Sequence, residues 1–166
     1  MRTIALFFLL GSSLILPLAV PAASAAEAGC LGVNLYGASY HFDRSRARES
    51  GVDNEFNPGL GVRYRVPHSE RVDWIVDAGA YRDSGRNTAL LAGAGALWKA
   101  TEAVRLGGAL VVLDSDTYNR GKTVVAPLPL AAYELRRVTL NAVFIPKVSD
   151  INEVATLGFW ITWWLE

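Results

Sequence analysis

Three residues of this chain could together transfer an acyl group: His41, Asp83 and Ser84. A serine hydroxyl becomes a useful nucleophile when a neighbouring base takes its proton, and histidine is the side chain that most often does so. A carboxylate beside the histidine can act as its charge partner or orient its ring. Asp83-Ser84-Gly85 also has the composition of a tight turn, and residue types alone leave both interpretations open. His68, in another turn, is interpreted as a solvated polar residue.

Eight short segments with alternating apolar and polar residues must position these groups. In the clearest segment, Leu60, Val62 and Tyr64 fall on one face of a strand, and Gly61 and Arg63 fall on the other. Connections of alternating length join the segments, as in an all-β, eight-stranded antiparallel up-and-down transmembrane barrel. The predicted strands are 31–42, 59–66, 71–83, 88–100, 104–114, 123–134, 137–146 and 154–165.

The strand order brings the candidate residues to one rim of this barrel. His41 closes the first strand and Asp83-Ser84 closes the third, and odd-numbered strands run in the same direction. Strands lie ~4.8 Å apart, so about 10 Å separates the two strand axes, a gap that inward side chains can close. The alternation puts His41 on one face with Ser39, opposite Tyr36, and puts Asp83 on one face with Asp77. We therefore expect both groups to face the lumen at this rim.

The N-terminal segment predicts export. Arg2 precedes an apolar stretch, 4–20, and the small residues 22–26 follow, which is the order of a cleaved signal peptide. Residues 1–26 are therefore predicted to be removed, and 27–166 to form a single barrel domain. Cys30 follows small residues, which raises lipidation as an alternative to a free thiol.

Composition and patterning exclude several other classes. The 166 residues are 51% hydrophobic, and 16 Lys+Arg balance 16 Asp+Glu, which argues against a disordered chain and against a nucleic-acid partner. One cysteine and two histidines offer little for a metal site, and no cofactor is predicted. A soluble lipocalin-type barrel would hold its apolar residues inside. Here the opposite face carries Gly, Arg, Thr, Asn and Asp, which favours a polar lumen and a lipid-facing exterior.

Several short motifs, taken in order, carry a family resemblance. They are Leu35-Tyr36, Tyr40-His41, Asn54-Glu55, Pro58-Gly59-Leu60-Gly61, Tyr81-Arg82-Asp83-Ser84, Leu91-Ala92-Gly93-Ala94-Gly95, Pro127-Leu128-Pro129-Leu130 and Phe144-Ile145-Pro146. This series resembles the PagP-type lipid A palmitoyltransferases of the Gram-negative outer membrane. The chain departs from that family where 114–116 offers no basic residue and where the segment after Ser84 is short.

The resemblance implies a reaction and a site. A phospholipid would give its palmitoyl chain to lipid A, with His41, Asp83 and Ser84 as the catalytic residues. The chain would lie in the upper barrel against Gly93 and Gly95, where the absence of a side chain leaves room for methylene groups. The partners implied are the phospholipid donor, the lipid A acceptor and the outer membrane, and the protein is expected to be a monomer.

Two alternatives remain beside the transferase. An outer-membrane lipid hydrolase would use water in place of lipid A, whereas a non-enzymatic small barrel would serve as a scaffold, receptor or surface protein. Conduction is not expected, because side chains fill a barrel of eight strands. Both enzymes require His41 and Ser84 beside an apolar slot, and the non-enzymatic barrel predicts a plugged lumen without one.

Overall fold

The strands follow one another around a closed barrel. A computed structural model describes residues 29–165, and the predicted signal peptide lies outside the described residues. Each strand pairs antiparallel with the next, and β8 pairs with β1, so the predicted fold class is confirmed. The elements are β1 (Cys30–His41), α1 (Arg44–Glu49), β2 (Phe56–Pro67), β3 (Val72–Arg82), β4 (Thr88–Lys99), β5 (Val104–Asp114), a 3₁₀ turn (Asn119–Gly121), β6 (Val124–Glu134), β7 (Val138–Ile145) and β8 (Thr156–Trp164).

The alternation of the sequence sets which side chains face outward. Leu60 and Val62 on β2 are 64% and 49% exposed, whereas Arg63, the residue after Val62, is only 1% exposed. The other strands repeat this pattern, with apolar side chains outside and polar or small ones inside. The barrel thus has the apolar exterior and partly polar interior that distinguish a lipid-facing barrel from a soluble one.

The connections divide the barrel into two rims. The strand ends joined by 42–55, 83–87, 115–123 and 146–155 form what we call the upper rim, and those joined by 68–71, 100–103 and 135–137 form the lower rim. Helix α1 lies in the first upper connection and was not predicted from the sequence. Its N-cap is Asp43, whose carboxylate accepts a hydrogen bond from the Arg46 backbone at 2.9 Å. Within 29–165, no helix is both long enough and apolar enough to cross a membrane.

A β-bulge in β1 corrects one sequence prediction. The register of β1 against both neighbouring strands shifts between Tyr36 and Ala38: β1 has one extra residue relative to β8, and β2 has one extra residue relative to β1. The prediction that Tyr36 lies on the face opposite His41 is wrong, because the bulge resets the alternation. The Tyr36 ring lies inside the barrel, 5.4 Å from the Tyr81 ring and 6.2 Å from the Trp160 ring between centroids.

Paired polar groups fill the lower part of the interior. Arg63 makes two hydrogen bonds of 2.8 Å to the Asp77 carboxylate and donates a third to Asn141. Below it, Arg105 contacts both Asp73 and Glu134. We call these two groups the lower network. Beside it, on β3 to β6, a buried apolar floor cluster consists of Ile75, Leu97, Ala109 and Leu130.

Candidate functional site

His41 and Ser84 meet at the upper rim. The Nε2 atom of His41 lies 3.1 Å from the hydroxyl oxygen of Ser84. Both residues are buried, at 2% and 4% exposure, although 43 positions separate them in the chain. The structure therefore brings together the base and the hydroxyl that the strand order placed at one rim.

Asp83 holds the turn that presents Ser84. One oxygen of its buried carboxylate accepts hydrogen bonds from the backbone N–H groups of Gly85 and Asn87, both at 2.9 Å. The other oxygen accepts a hydrogen bond from the hydroxyl of Ser115, in the connection after β5. Within the described chain, none of these bonds joins Asp83 to His41. The segment is thus a tight turn, as one interpretation held, and it also carries a serine in contact with a histidine.

The carboxylate that faces the His41 ring belongs to Glu55, which the sequence placed in the Asn54-Glu55 motif but to which it assigned no role. Its Oε1 atom lies 3.6 Å from His41 Nδ1 and accepts a hydrogen bond of 3.2 Å from the His41 backbone N–H. Arg44 donates to both carboxylate oxygens, at 3.2 and 3.0 Å. Burial raises the pKa of the Glu55 carboxyl, but the His41 N–H and the Arg44 guanidinium outweigh it and hold the pKa below its usual value.

Tyr118, in the connection after β5, is a second hydroxyl at the upper rim. The phenol lines the same cavity as Ser84. Burial, reinforced by the nearby Asp83 carboxylate, raises the pKa of the Tyr118 phenol to about 12. Tyr118 is therefore a neutral hydroxyl beside Ser84 at physiological pH.

An apolar cavity lies directly below Ser84, in the upper half of the barrel. It measures about 150 Å³, and Ser84 and Tyr118 lie at its upper end. Ala109 and Leu130 of the floor cluster line its lower end. Its wall includes Leu91, Gly93, Val111, Leu128, Val143 and Ile145.

The two glycines predicted for an acyl-chain pocket occupy different levels. Gly93 is part of the cavity wall, whereas Gly95 lies one inward position deeper, beside the floor cluster. A Cβ atom added at Gly95 would lie only 2.2 Å from the Gly108 carbonyl oxygen and 2.7 Å from Ala109. The role of Gly95 in setting chain length stays a prediction, and the structure makes Gly93 and Ala109 the residues that border the space.

Beside the cavity, the pairing of β6 with β7 leaves a lateral gap in the hydrogen-bonded sheet. The pairing of β6 with β7 runs from Leu130–Val143 down to Glu134–Thr139. In the described barrel, residues 124–129 of β6 pair with β5 and have no partner on β7. Pro127 and Pro129 lie in this stretch and have no N–H to donate, which suits an open edge.

On the other side of His41 lies a polar pocket. It is lined by His41, Arg44, Ala47, Arg48, Asp53 and Glu55. The His41–Ser84 pair therefore separates an apolar cavity, which Ser84 lines, from a charged pocket, which His41 lines. A hydroxyl and a base between such spaces can act on a molecule with an apolar chain and a polar head.

Comparison with known proteins supports the fold. No protein-family model and no curated protein sequence matches the chain. Among solved structures, the Yersinia pestis outer membrane protein Ail in a phospholipid bilayer nanodisc is similar, with a TM-score of 0.52 and 16% identity over 83% of this chain and 100% of that one. A crystal structure of Ail, the attachment invasion locus protein of Yersinia pestis, gives a TM-score of 0.43 and 13% identity over 82% of this chain and 97% of that one. The chain thus has the fold of an eight-stranded outer-membrane barrel.

Proposed function

We propose that the protein is an outer-membrane acyltransferase that moves a palmitoyl-type chain from a phospholipid to lipid A. One observation carries the proposal: the Ser84 hydroxyl lies 3.1 Å from His41 Nε2 at the upper end of an apolar cavity. A serine within hydrogen-bond reach of a base is the arrangement used for nucleophilic acyl transfer. The choice of phospholipid and lipid A as substrates comes from the motif resemblance and from the membrane setting of the fold.

The proposed chemistry has two balanced steps. In the first, the Ser84 oxygen attacks the ester carbonyl of the phospholipid while His41 Nε2 takes the hydroxyl proton. The ester C–O bond breaks, and the proton passes from His41 to the leaving lysophospholipid oxygen. In the second, a lipid A hydroxyl attacks the acyl–Ser84 ester and gives its proton to His41. The acyl–serine bond breaks, and the proton returns to the Ser84 oxygen.

The cavity and the gap support a lipid substrate. An acyl chain that enters between β6 and β7 would reach the cavity from the membrane side, because the upper part of β6 has no partner on β7. Once inside, it would lie against apolar side chains and Gly93, with its ester near Ser84. Each buried methylene would contribute about 0.8 kcal/mol to binding. In this proposal Asp83 keeps its place in the site by holding the turn that carries Ser84.

A non-enzymatic outer-membrane barrel is the second candidate. The observation that favours it is the fold shared with Ail, whose name describes attachment and invasion. This candidate predicts a plugged lumen with no slot. The lower network fits that expectation, and the cavity beside Ser84 does not.

The mass spectrum of lipid A tests the proposal. Lipid A is compared from outer membranes that contain the wild-type protein, no protein, or an equal amount of folded Ser84→Ala. We expect one added palmitoyl chain with the wild type alone. Loss of a chain would replace the transferase with a hydrolase that uses water as the acceptor. Identical spectra in all three membranes would favour the non-enzymatic barrel.

A further inference from the structure

We infer that Glu55 is the positioning residue of His41, and that it fixes the ring so that Nε2 is free to accept the Ser84 proton. The inference rests on the proposed function for its catalytic consequence. Its structural part concerns which nitrogen of His41 carries the proton, and that can be measured without any substrate.

The contacts of Glu55 hold its carboxylate beside the His41 ring. Arg44 occupies both carboxylate oxygens, and the His41 backbone N–H donates to Oε1. The same oxygen lies 3.6 Å from Nδ1, a buried nitrogen that has no hydrogen-bond partner among the described residues. A small rotation of the ring or the carboxylate would close this distance, and catalytic hydrogen bonds are often long before substrate binds.

Asp83, the carboxylate next to Ser84 in the chain, is engaged elsewhere. Its oxygens accept hydrogen bonds from two backbone N–H groups and from Ser115. It lies on the Ser84 side of the pair, whereas Glu55 lies on the Nδ1 side of the imidazole. The geometry thus divides two tasks between two carboxylates: Asp83 holds the nucleophile's turn, and Glu55 holds the base.

A carboxylate at Nδ1 has a definite chemical effect. It accepts the Nδ1 proton, which leaves the lone pair of Nε2 directed at the Ser84 hydroxyl, and it stabilises the imidazolium that forms when the proton moves. Arg44 keeps the carboxylate in place and ionised. Replacing Glu55 with glutamine keeps the shape but removes the charge. The amide NH₂ group of the glutamine would face either the Arg44 guanidinium or the His41 backbone N–H. Both of these groups are hydrogen-bond donors, so one of the present contacts would be lost.

Nitrogen-15 NMR of the histidine ring tests the structural part. The protein is labelled at histidine in a His68→Gln background, so that His41 is the single labelled ring, and measured in detergent micelles at a pH where the imidazole is neutral. We expect the wild-type ring to carry its proton on Nδ1, and Glu55→Gln to lose this preference. A wild-type ring protonated on Nε2, or an unchanged tautomer in Glu55→Gln, would overturn the inference.

Kinetics test the catalytic part with a matched control. Acyl transfer is measured with a palmitoyl phospholipid donor and lipid A. Glu55→Gln should lower kcat by ~10²- to 10⁴-fold, the range that general base catalysis contributes, with KM little changed, and Glu55→Asp should recover part of the loss. The control is Glu153→Gln, because Glu153 is a carboxylate of the same rim that pairs with Arg46 at 2.7 Å. It should keep wild-type activity.

The outcomes separate this inference from the proposed function. If the wild type transfers no acyl chain and releases none, the proposed function fails, and the NMR result still decides the role of Glu55. If the wild type is active and Glu55→Gln keeps its kcat, Glu55 is not the positioning residue. An equal loss in Glu153→Gln would also overturn the inference, because the effect would then belong to the rim as a whole.

Discussion

The two halves of the barrel interior differ in how they are filled. In the lower half, polar side chains pair with one another, as Arg63 does with Asp77 and Asn141, and Arg105 with Glu134. In the upper half, small and apolar side chains surround an open cavity that has Ser84 at its upper end and reaches Asp77 of the lower network below. One closed sheet therefore encloses both a filled half, which we call the plug and which contains the lower network, and an open half, which we call the chamber and which contains the cavity. The side chains at inward positions determine whether each half is filled or open.

The difference extends to the sheet itself. The pairing of β6 with β7 is confined to the lower half. There, residues 130–134 of β6 pair with residues 139–143 of β7. Because its buried charges are paired with one another, the lower half should be destabilised strongly by the loss of a single charged partner. The upper half leaves part of one edge open, which suits a region that admits a ligand. Changes in the lower half should therefore affect folding, and changes in the upper half should affect activity.

The largest expected effect on folding comes from breaking the lower network at Arg63. Arg63→Met leaves the Asp77 carboxylate with Asn34 as its remaining side-chain donor among the described residues. Removing one partner of a buried ion pair typically costs about 3 to 5 kcal/mol. We expect a loss of this size in the free energy of unfolding, measured by urea titration in detergent.

A double variant gives the control for this prediction. Arg63→Met combined with Asp77→Leu removes both charges, so it should cost less than Arg63→Met alone. Equal losses in the single and double variants would mean that the packing of Arg63, whose guanidinium lies 5.5 Å from the Trp160 ring centroid, matters more than its charge.

A middle-sized effect is expected on the length of the acyl chain. Ala109 belongs to the floor cluster and borders the cavity, so Ala109→Met would fill the lower end of the chamber. Overpacking costs about 1 to 3 kcal/mol, which would shift the preference toward shorter chains by ~5- to 100-fold. The assay uses phospholipid donors of graded chain length.

Ala94→Met is the matched control, because Ala94 lies on the neighbouring strand with its side chain facing outward. It should leave chain preference unchanged. If the two variants behave alike, the chain does not reach the floor cluster. Gly95→Met would serve less well, since its Cβ atom would overlap the Gly108 carbonyl oxygen and disturb the sheet.

The smallest effect is expected at the lower edge of the plug. The Lys99 ammonium lies 3.3 Å from Asp73, its side chain is 30% exposed, and Arg105 also pairs with Asp73 at 2.7 Å. Partly exposed ion pairs typically contribute less than about 1 kcal/mol. Lys99→Met should therefore lower the free energy of unfolding by no more than that. A loss as large as that of Arg63→Met would show that the lower network acts as one unit.

Much of the fold could be predicted because a barrel repeats one simple rule. Alternation at Leu60, Val62 and Arg63 shows which face meets lipid, and the turn residues show where strands end. The rule failed at Tyr36, because a bulge near Gly37 inserts a residue and reverses the alternation. Such an insertion depends on both neighbouring strands, and the local sequence contains only the glycine as a hint.

The site was predictable where it depends on strands and not where it depends on loops. His41 and Ser84 meet because the ends of β1 and β3 reach the same rim. Glu55 reaches His41 through the fold of the first upper connection, where α1 brings Arg44 against the carboxylate. Asp83 was expected to partner His41, but its carboxylate accepts hydrogen bonds from two backbone N–H groups of its own turn and from Ser115, which lies 32 positions further along the chain.

The rate of acyl transfer by Ser84→Ala tests the central claim most directly. The purified variant in detergent micelles is given a palmitoyl phospholipid and lipid A, beside the wild type and Ser69→Ala, which changes a serine in a turn of the lower rim. All three proteins should show the heat-modifiable gel migration of a folded barrel. We predict that Ser84→Ala loses ~10²-fold or more of the rate and that Ser69→Ala keeps it. A wild-type rate in folded Ser84→Ala would contradict the account.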